Sequence, residues 1–398
     1  MTSRALLATI FTLFTTTFVF AAVDETPVAT VLCYHIVESP QDPRMEISRE
    51  TFHQQMRYLA MTGYNVITLK DLYDYVTGKR GSIPKNSVVI TIDDGWRSTY
   101  TEVFPEMQKR KFPFTVFIYP KIIGQTAHAL TWKQVKEMSD AGVDIESHSF
   151  SHPFLTQRRH PDVDGRAYQE WLEHELADSR KIIARETGRD VEFLAYPYGD
   201  YNHQLVTSVG KAGYAAALTC DYGRVKRGSD PLRMKRVIVD KHMDFAAFRH
   251  YLGAGTMPIE DTLPAPTQVF EPAQPIVISA KLPKHKSLDP SSIGMALLGP
   301  SGSAASPFSY DPKDGSITMT LREALDTLRG KYQRAIVWAT EAKTGRRVEA
   351  SWTFKIPEQL LPLPTVTPLA PATLTPSTNS TVATSGGSPQ ASLRSPKK

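Results

Sequence analysis

The sequence predicts an α/β chain: a parallel (β/α) barrel followed by a small all-β module. Three observations carry this. Between residues 28 and 251, short β-branched runs alternate with amphipathic helical stretches about seven or eight times, the pattern of a parallel sheet covered by helices. Three of the runs empty into polar groups, Tyr34-His35, Asp93-Asp94-Gly95 and Ser147-His148-Ser149-Phe150-Ser151-His152. A barrel would gather these strand ends on one rim, where barrels carry their chemistry. After residue 276 the period changes to strict alternation broken by tight turns, as in half-buried antiparallel strands.

The chain has 398 residues, length for roughly two or three domains. Its 46 Lys and Arg exceed its 41 Asp and Glu by five. That charge is spread along the chain, with no basic stripe interleaved with aromatics, which argues against nucleic acid as a partner. Residues 1–22 have the form of a secretory signal: Arg4, a short apolar run, then Ala21 and Ala22. The run is short for a membrane span and lacks a basic stop. The expected mature protein is periplasmic or secreted, without a transmembrane helix, and monomeric. Cys33 and Cys220 are the two cysteines. An oxidising compartment permits a bridge between them, and two separate buried thiols are equally compatible with their places at strand ends.

Strands are expected at residues 28–33, 66–68, 87–92, 114–119, 143–146, 192–196, 214–218 and 236–239. Helices are expected at 52–59, 69–76, 100–110, 131–138 and 168–186. Thr131 and Gln134 form a capping box, and Gly142 closes that turn.

The strand at 87–92 ends in adjacent carboxylates. Two aspartates there repel each other, so either a cation sits beside them or one holds a proton. A plain Asp-Gly turn is the alternative. His148 and His152, four apart after a strand, could supply two metal ligands. With one aspartate they make a two-histidine, one-carboxylate site with room for water. Pro197-Tyr198-Gly199 is a rigid turn placing an aromatic at the rim, either simply packed or forming the wall of a sugar-binding groove with a backbone N–H near a developing oxyanion.

Thr91-Ile92-Asp93-Asp94-Gly95, Ser147 to Pro153 and Tyr196-Pro197-Tyr198-Gly199, in that order, resemble the polysaccharide deacetylase family, the NodB-homology domain. The resemblance covers residues 28–251. Tyr34-His35 resembles the branch of poly-N-acetylglucosamine deacetylases. It implies a distorted (β/α) barrel, with Asp93 as general base and Asp94, His148 and His152 binding a divalent metal, usually zinc. Pro197 and Tyr198 would contact substrate, with the Tyr198 N–H on the oxyanion. The chain departs from the family pattern twice. Ala195 stands where many members have an arginine that steadies the base, a role Arg233 or Arg236 could fill. Val239-Asp240 stands where many have Leu-x-His, leaving His242 as a candidate general acid.

The implied reaction is removal of acetyl groups from an N-acetylated polysaccharide, an N-acetylglucosamine polymer. Zinc would polarise the carbonyl and lower the pKa of its water to about 7, and Asp93 would take the proton. An O-acetyl esterase of xylan type, or a catalytically silent carbohydrate-binding protein, are the alternatives. Retention of Asp93 beside a whole ligand set favours the enzyme.

The expected domains are a signal peptide at 1–22, the barrel at 23–254, a Pro-rich linker at 255–275, a β-sandwich resembling an immunoglobulin-like module at 276–356 and a disordered tail at 357–398. In the module, Asp311 to Gly315 is a turn, and Val348, Ala350, Trp352, Phe354 and Ile356 alternate strictly inward.

Overall fold

A computed structural model describes residues 27–38, 45–156, 165–253, 255–265, 276–299, 302–304, 307–321 and 332–355. The expected signal, the second part of the expected linker and the tail lie outside these residues. No described helix is long and apolar enough to cross a membrane.

The first half of the barrel contains β1 (Val28–Tyr34), β2 (Ile36–Val37), β3 (Glu46–Ile47), α1 (Arg49–Met61), β4 (Asn65–Val66), α2 (Leu69–Val76) and β5 (Ser87–Ile92). It continues with α3 (Phe104–Arg110), β6 (Thr115–Ile118), α4 (Trp132–Asp140), β7 (Asp144–Ser147), α5 (Gly165–Glu173) and α6 (Ser179–Thr187). It ends with β8 (Phe193–Ala195), α7 (His203–Lys211), β9 (Ala216–Leu218), β10 (Val225–Lys226), β11 (Val237–Ile238) and α8 (Phe245–Gly253).

β1, β5, β6, β7, β8 and β9 pair in parallel in that order. The sheet curls on itself, consistent with a (β/α) barrel: Leu218 bridges Met234, and β11 pairs in parallel with β1. Every residue of β5 is buried, which explains its unbroken Val/Ile/Thr run where a two-faced strand would alternate. Ser48, Thr68 and Asn202 cap their helices through side-chain oxygens, and Thr131 with Gln134 forms the expected capping box. The helix expected at 168–186 is interrupted by a π-type turn, His174–Asp178, between α5 and α6. A similar turn, Thr99–Val103, precedes α3.

The module beyond is built from β12 (Gly255–Thr256), β13 (Glu260–Leu263), β14 (Ile276–Lys281), β15 (Leu288–Gly299), β16 (Gly302–Ala304), β17 (Phe308–Tyr310), β18 (Ser316–Leu321), β19 (Tyr332–Glu341) and β20 (Arg347–Lys355). One sheet runs β12-β20-β19-β15-β16 and the other β13-β14-β18-β17. Ile278, Met295, Met319, Val337 and Trp352, from both sheets, share one apolar core. Val348, Ala350, Trp352 and Phe354 are buried, as their alternation predicts; Ile356 lies outside the described residues. The expected turn holds Tyr310 opposite Ile317, with Gly315 at φ +79°.

The stretch expected as a linker departs from expectation. Its described part supplies β12, paired with β20, and β13, paired with β14. Both are short edge strands, and Pro258 and Pro264 fall outside them, so the proline content of the stretch misled.

Candidate active site

Four of the predicted side chains converge at the C-terminal ends of β5 and β7. The Asp93 backbone N–H donates to Tyr34 O of β1 at 2.9 Å, fixing the chain as it leaves the sheet. Asp94 then takes φ +78° and Gly95 φ +85°. A Cβ on Gly95 would meet Ile123 Cδ1 at 3.0 Å and Ile118 Cγ2 at 3.2 Å, so glycine is required by backbone conformation and by space.

The histidines come from the loop after β7. Ser149 and His152 also have positive φ, 63° and 57°. Backbone strain of this kind needs support. Glu175, in the π-type turn, accepts from the N–H groups of Phe150 and Ser151 at 3.1 and 2.9 Å and from Ser151 Oγ at 2.6 Å. Ser179 Oγ donates to Ser149 O at 3.0 Å. The His148 N–H donates to Ile118 O at 2.8 Å.

Asp94 Oδ1 lies 3.5 Å from His148 Nε2 and 3.4 Å from His152 Nε2, and the two nitrogens are 3.2 Å apart. Ligands about 2.1 Å from one tetrahedral ion lie roughly 3.4 Å from each other. The donor set therefore matches one face of such a site. Two further features fit. Asp94 Oδ1 is buried and has no hydrogen-bond partner, whereas its Oδ2 accepts from Trp96 Nε1 at 2.9 Å. His148 Nδ1 is 2.8 Å from Ala195 O, which turns Nε2 toward Asp94 and His152.

Asp93 is 1 % exposed. Its Oδ1 accepts from Arg236 Nη1 at 2.8 Å, and its Oδ2 stands 3.7 Å from His148 Nε2. Burial raises its pKa, but Arg236, with help from His148 and His35, outweighs this and holds the carboxyl below the usual range. Burial likewise raises Asp94, and the surrounding imidazoles override it, leaving Asp94 ionised. His152 falls to about 4 because it is buried and faces His148, so it is the neutral imidazole a cation requires.

Of the two arginines considered for the place vacated at Ala195, Arg236 is the one that reaches Asp93; Arg233 pairs with Asp230 at 2.7 Å instead. His242 is exposed in the loop after β11, and its backbone N–H bonds Asp240. His35 is a third histidine beside the site. One of its ring nitrogens, the Cys33 Sγ and an Asp93 carboxylate oxygen lie within 4.8 Å of one another, and His35 Nδ1 is buried without a hydrogen-bond partner. Arg236 beside Asp93 makes that trio a poor cation site. Cys33 and Cys220 are both free thiols. Pro197–Gly199 forms a 3-10 turn after β8, with Tyr198 at φ +60° and half exposed. The Tyr198 ring stacks on Phe154 at 3.9 Å and meets His152 edge-on at 4.5 Å. Sequence reasoning missed the supports Trp96 and Glu175, which carry no local signal. His35 was visible as a strand-end histidine but was given no role.

A curled parallel sheet presenting a two-histidine, one-aspartate cluster beside a second, arginine-held carboxylate defines a hydrolase-type centre. The family described as polysaccharide deacetylase matches residues 80–217. The putative polysaccharide deacetylase YxkH of Bacillus subtilis is 30% identical over 222 residues, covering 56% of this chain and 75% of that one. A poly-beta-1,6-N-acetyl-D-glucosamine N-deacetylase of Staphylococcus aureus is 25% identical over 224 residues, covering 55% and 75%. Among solved structures, IcaB from Ammonifex degensii superposes with a TM-score of 0.51 at 27% identity, over 57% of this chain and 98% of that one. The Streptococcus pyogenes deacetylase PplD shares the fold, with a TM-score of 0.51 at 21% identity, over 57% and 99%. The chain belongs to the polysaccharide deacetylase family, and it is a deacetylase, a hydrolase.

Proposed function

We propose that the protein is a metal-dependent N-deacetylase acting on a polymer of N-acetylglucosamine. The observation that carries this is the clustering of Asp94, His148 and His152 donor atoms at 3.2–3.5 Å, with Asp93 alongside but pledged to Arg236. Its similarity to the Staphylococcus aureus poly-beta-1,6-N-acetyl-D-glucosamine N-deacetylase supports the choice of substrate.

Asp94, His148 and His152 would hold the divalent cation, for which their nitrogen and oxygen donors favour zinc. Bound there, it supplies Lewis acidity, polarising the acetyl carbonyl and making water easier to deprotonate. Asp93, kept ionised by Arg236, accepts the proton of the attacking water. The Tyr198 N–H donates to the carbonyl oxygen as it gains charge. The carbon–nitrogen bond then breaks, and the departing amine takes a proton, for which His35, with a ring nitrogen within 4.8 Å of an Asp93 oxygen, is the candidate donor. The products are acetate and a free amino sugar. Tyr198 stacked on Phe154 offers an aromatic wall for a pyranose ring.

The signal-like residues 1–22 support secretion or a periplasmic location. The domain division near residue 254, an immunoglobulin-like identity for the two-sheet module and action as a monomer belong to the same proposal. The test is acetate release by the metal-analysed protein from a β-1,6-linked N-acetylglucosamine oligomer and from O-acetylated xylan. Release from xylan alone would replace this reading with an esterase, and release from neither would leave a binding protein.

A further inference from the structure

The loop at residues 219–222 leaves β9 on the rim that carries the site. Its carbonyls also hold Arg236, the arginine paired with Asp93. Arg236 Nε donates to Thr219 O at 3.0 Å, the Arg236 backbone N–H donates to Asp221 O at 3.0 Å, and Arg236 Nη2 lies 3.9 Å from Cys220 Sγ. The same loop presses on the turn holding Tyr198: a Cβ added to Gly199 would meet Cys220 Cβ at 2.5 Å.

The barrel holds this loop from within, and the β-module holds it from outside. Arg334 Nη2 of β19 donates to Cys220 O at 2.9 Å. Ser351 Oγ of β20 accepts from the Tyr222 N–H at 2.9 Å and donates to Tyr222 O at 3.4 Å. Lys235, next to Arg236, donates from Nζ to Ser351 O at 3.4 Å. Successive peptides of one short loop are thus claimed by the module and by the arginine behind the base. Thr219 O, which fixes the guanidinium, precedes the carbonyl that Arg334 pins.

We infer that Arg334 and Ser351 are positioning residues for the deacetylation: through the 219–222 loop the β-module aims Arg236, and Arg236 aims Asp93. This rests on Asp93 being the base. It gives the module a part in catalysis that needs no substrate contact. A buried guanidinium reaches its carboxylate in one geometry, and small misplacements at a reacting centre are expensive in rate.

The test uses the full chain with its metal, and acetate release from a β-1,6-linked N-acetylglucosamine pentamer. Arg334→Met removes the donor while keeping length, and Ser351→Ala removes the hydroxyl. For Arg334→Met, kcat should fall about tenfold with KM within about twofold and metal content unchanged, and Ser351→Ala should show a smaller loss of the same kind. Arg334→Lys should restore part of the rate. In an Arg236→Met background, Arg334→Met should lower kcat no further, because residues acting through one another are not additive. A lowered melting temperature with kcat unchanged overturns the inference in favour of a purely structural clamp. A raised KM with kcat unchanged overturns it in favour of substrate binding by the module. Asp93→Asn is the separate control: if it keeps full activity, the base assignment itself has failed.

Discussion

Arg236 Nη1 meets Asp93 Oδ1 at 2.8 Å, with the arginine fully buried and the aspartate side chain 2 % exposed. The arginine lies just before β11, far in sequence from the strand that carries the aspartate, and it arrives because β11 pairs with β1 and β1 with β5. The pair keeps a buried carboxylate ionised beside a second carboxylate. Arg236→Met should therefore raise the pKa of Asp93. The base then stays protonated to higher pH, so the acid limb of the kcat/KM profile moves upward. The sign for stability is the same: a depressed carboxyl pKa stabilises the fold above its unfolded value, about 3.9, and that contribution is lost as pH falls through the folded value. Removing one partner of so buried a pair should also cost about 3–5 kcal/mol of stability. A pH–rate profile unchanged by Arg236→Met would contradict the coupling.

The ligand and base roles separate by substitution. His148→Ala removes a donor from the three-atom face and Asp94→Asn removes its negative charge, and both should yield protein with little bound metal and little activity. Asp93→Asn leaves that face intact and should retain metal while losing about 10²–10⁴-fold in kcat, the range that general-base catalysis supplies. Elemental analysis of the purified variants, paired with acetate release, distinguishes these outcomes. Full activity after chelation and dialysis would remove the metal from the reaction.

His35 and His242 give opposite expectations. His35 sits beside Asp93 with a buried, unpartnered Nδ1, and His242 is exposed on a loop. A proton donor matters most when the leaving group is a poor one. His35→Gln should lower kcat on the N-acetyl oligomer by about 10²-fold and change hydrolysis of 4-nitrophenyl acetate, whose leaving group needs no proton, far less. His242→Ala should stay within about twofold on both. Equal losses on both substrates for His35→Gln would mean that the imidazole has another role.

The barrel was legible because its strands are buried on both faces and so appear as continuous apolar runs such as residues 87–92. The cluster of Asp94, His148 and His152 was legible because these residues lie on two short segments with their own spacing. What the sequence hid was long-range. Nothing local to Arg236 distinguishes it from Arg233; only the pairing of β11 with β1 carries it to Asp93. His35 follows a strand whose neighbour in the sheet is β5, a relation invisible along the chain. The short edge strands β12 and β13 were masked by the prolines that flank them, Pro258 and Pro264.

Asp144 and Glu146 lie two apart on β7, pointing to the same side of the sheet. Asp144 Oδ2 accepts from Thr115 Oγ1 at 3.0 Å, and Glu146 Oε2 accepts from the Phe193 N–H at 2.7 Å. Burial pushes both carboxyls up, and Asp144 pushes Glu146 further. A carboxyl whose folded pKa is raised binds its proton more tightly in the folded state. Its contribution is complete below the unfolded value, near 4, and disappears as pH rises through the folded value. The wild-type melting temperature should therefore decline above pH 5 more steeply than in Asp144→Asn. Asparagine can still accept from Thr115 and, being neutral, no longer opposes ionisation of Glu146. At pH 8 the variant should melt about 3 °C higher, the shift that roughly 1 kcal/mol makes in a domain of this size, and at pH 4 the two should coincide. Melting curves across that range decide it: a variant that is less stable at pH 8 would show that the pair is held together by its interactions rather than strained by its charge.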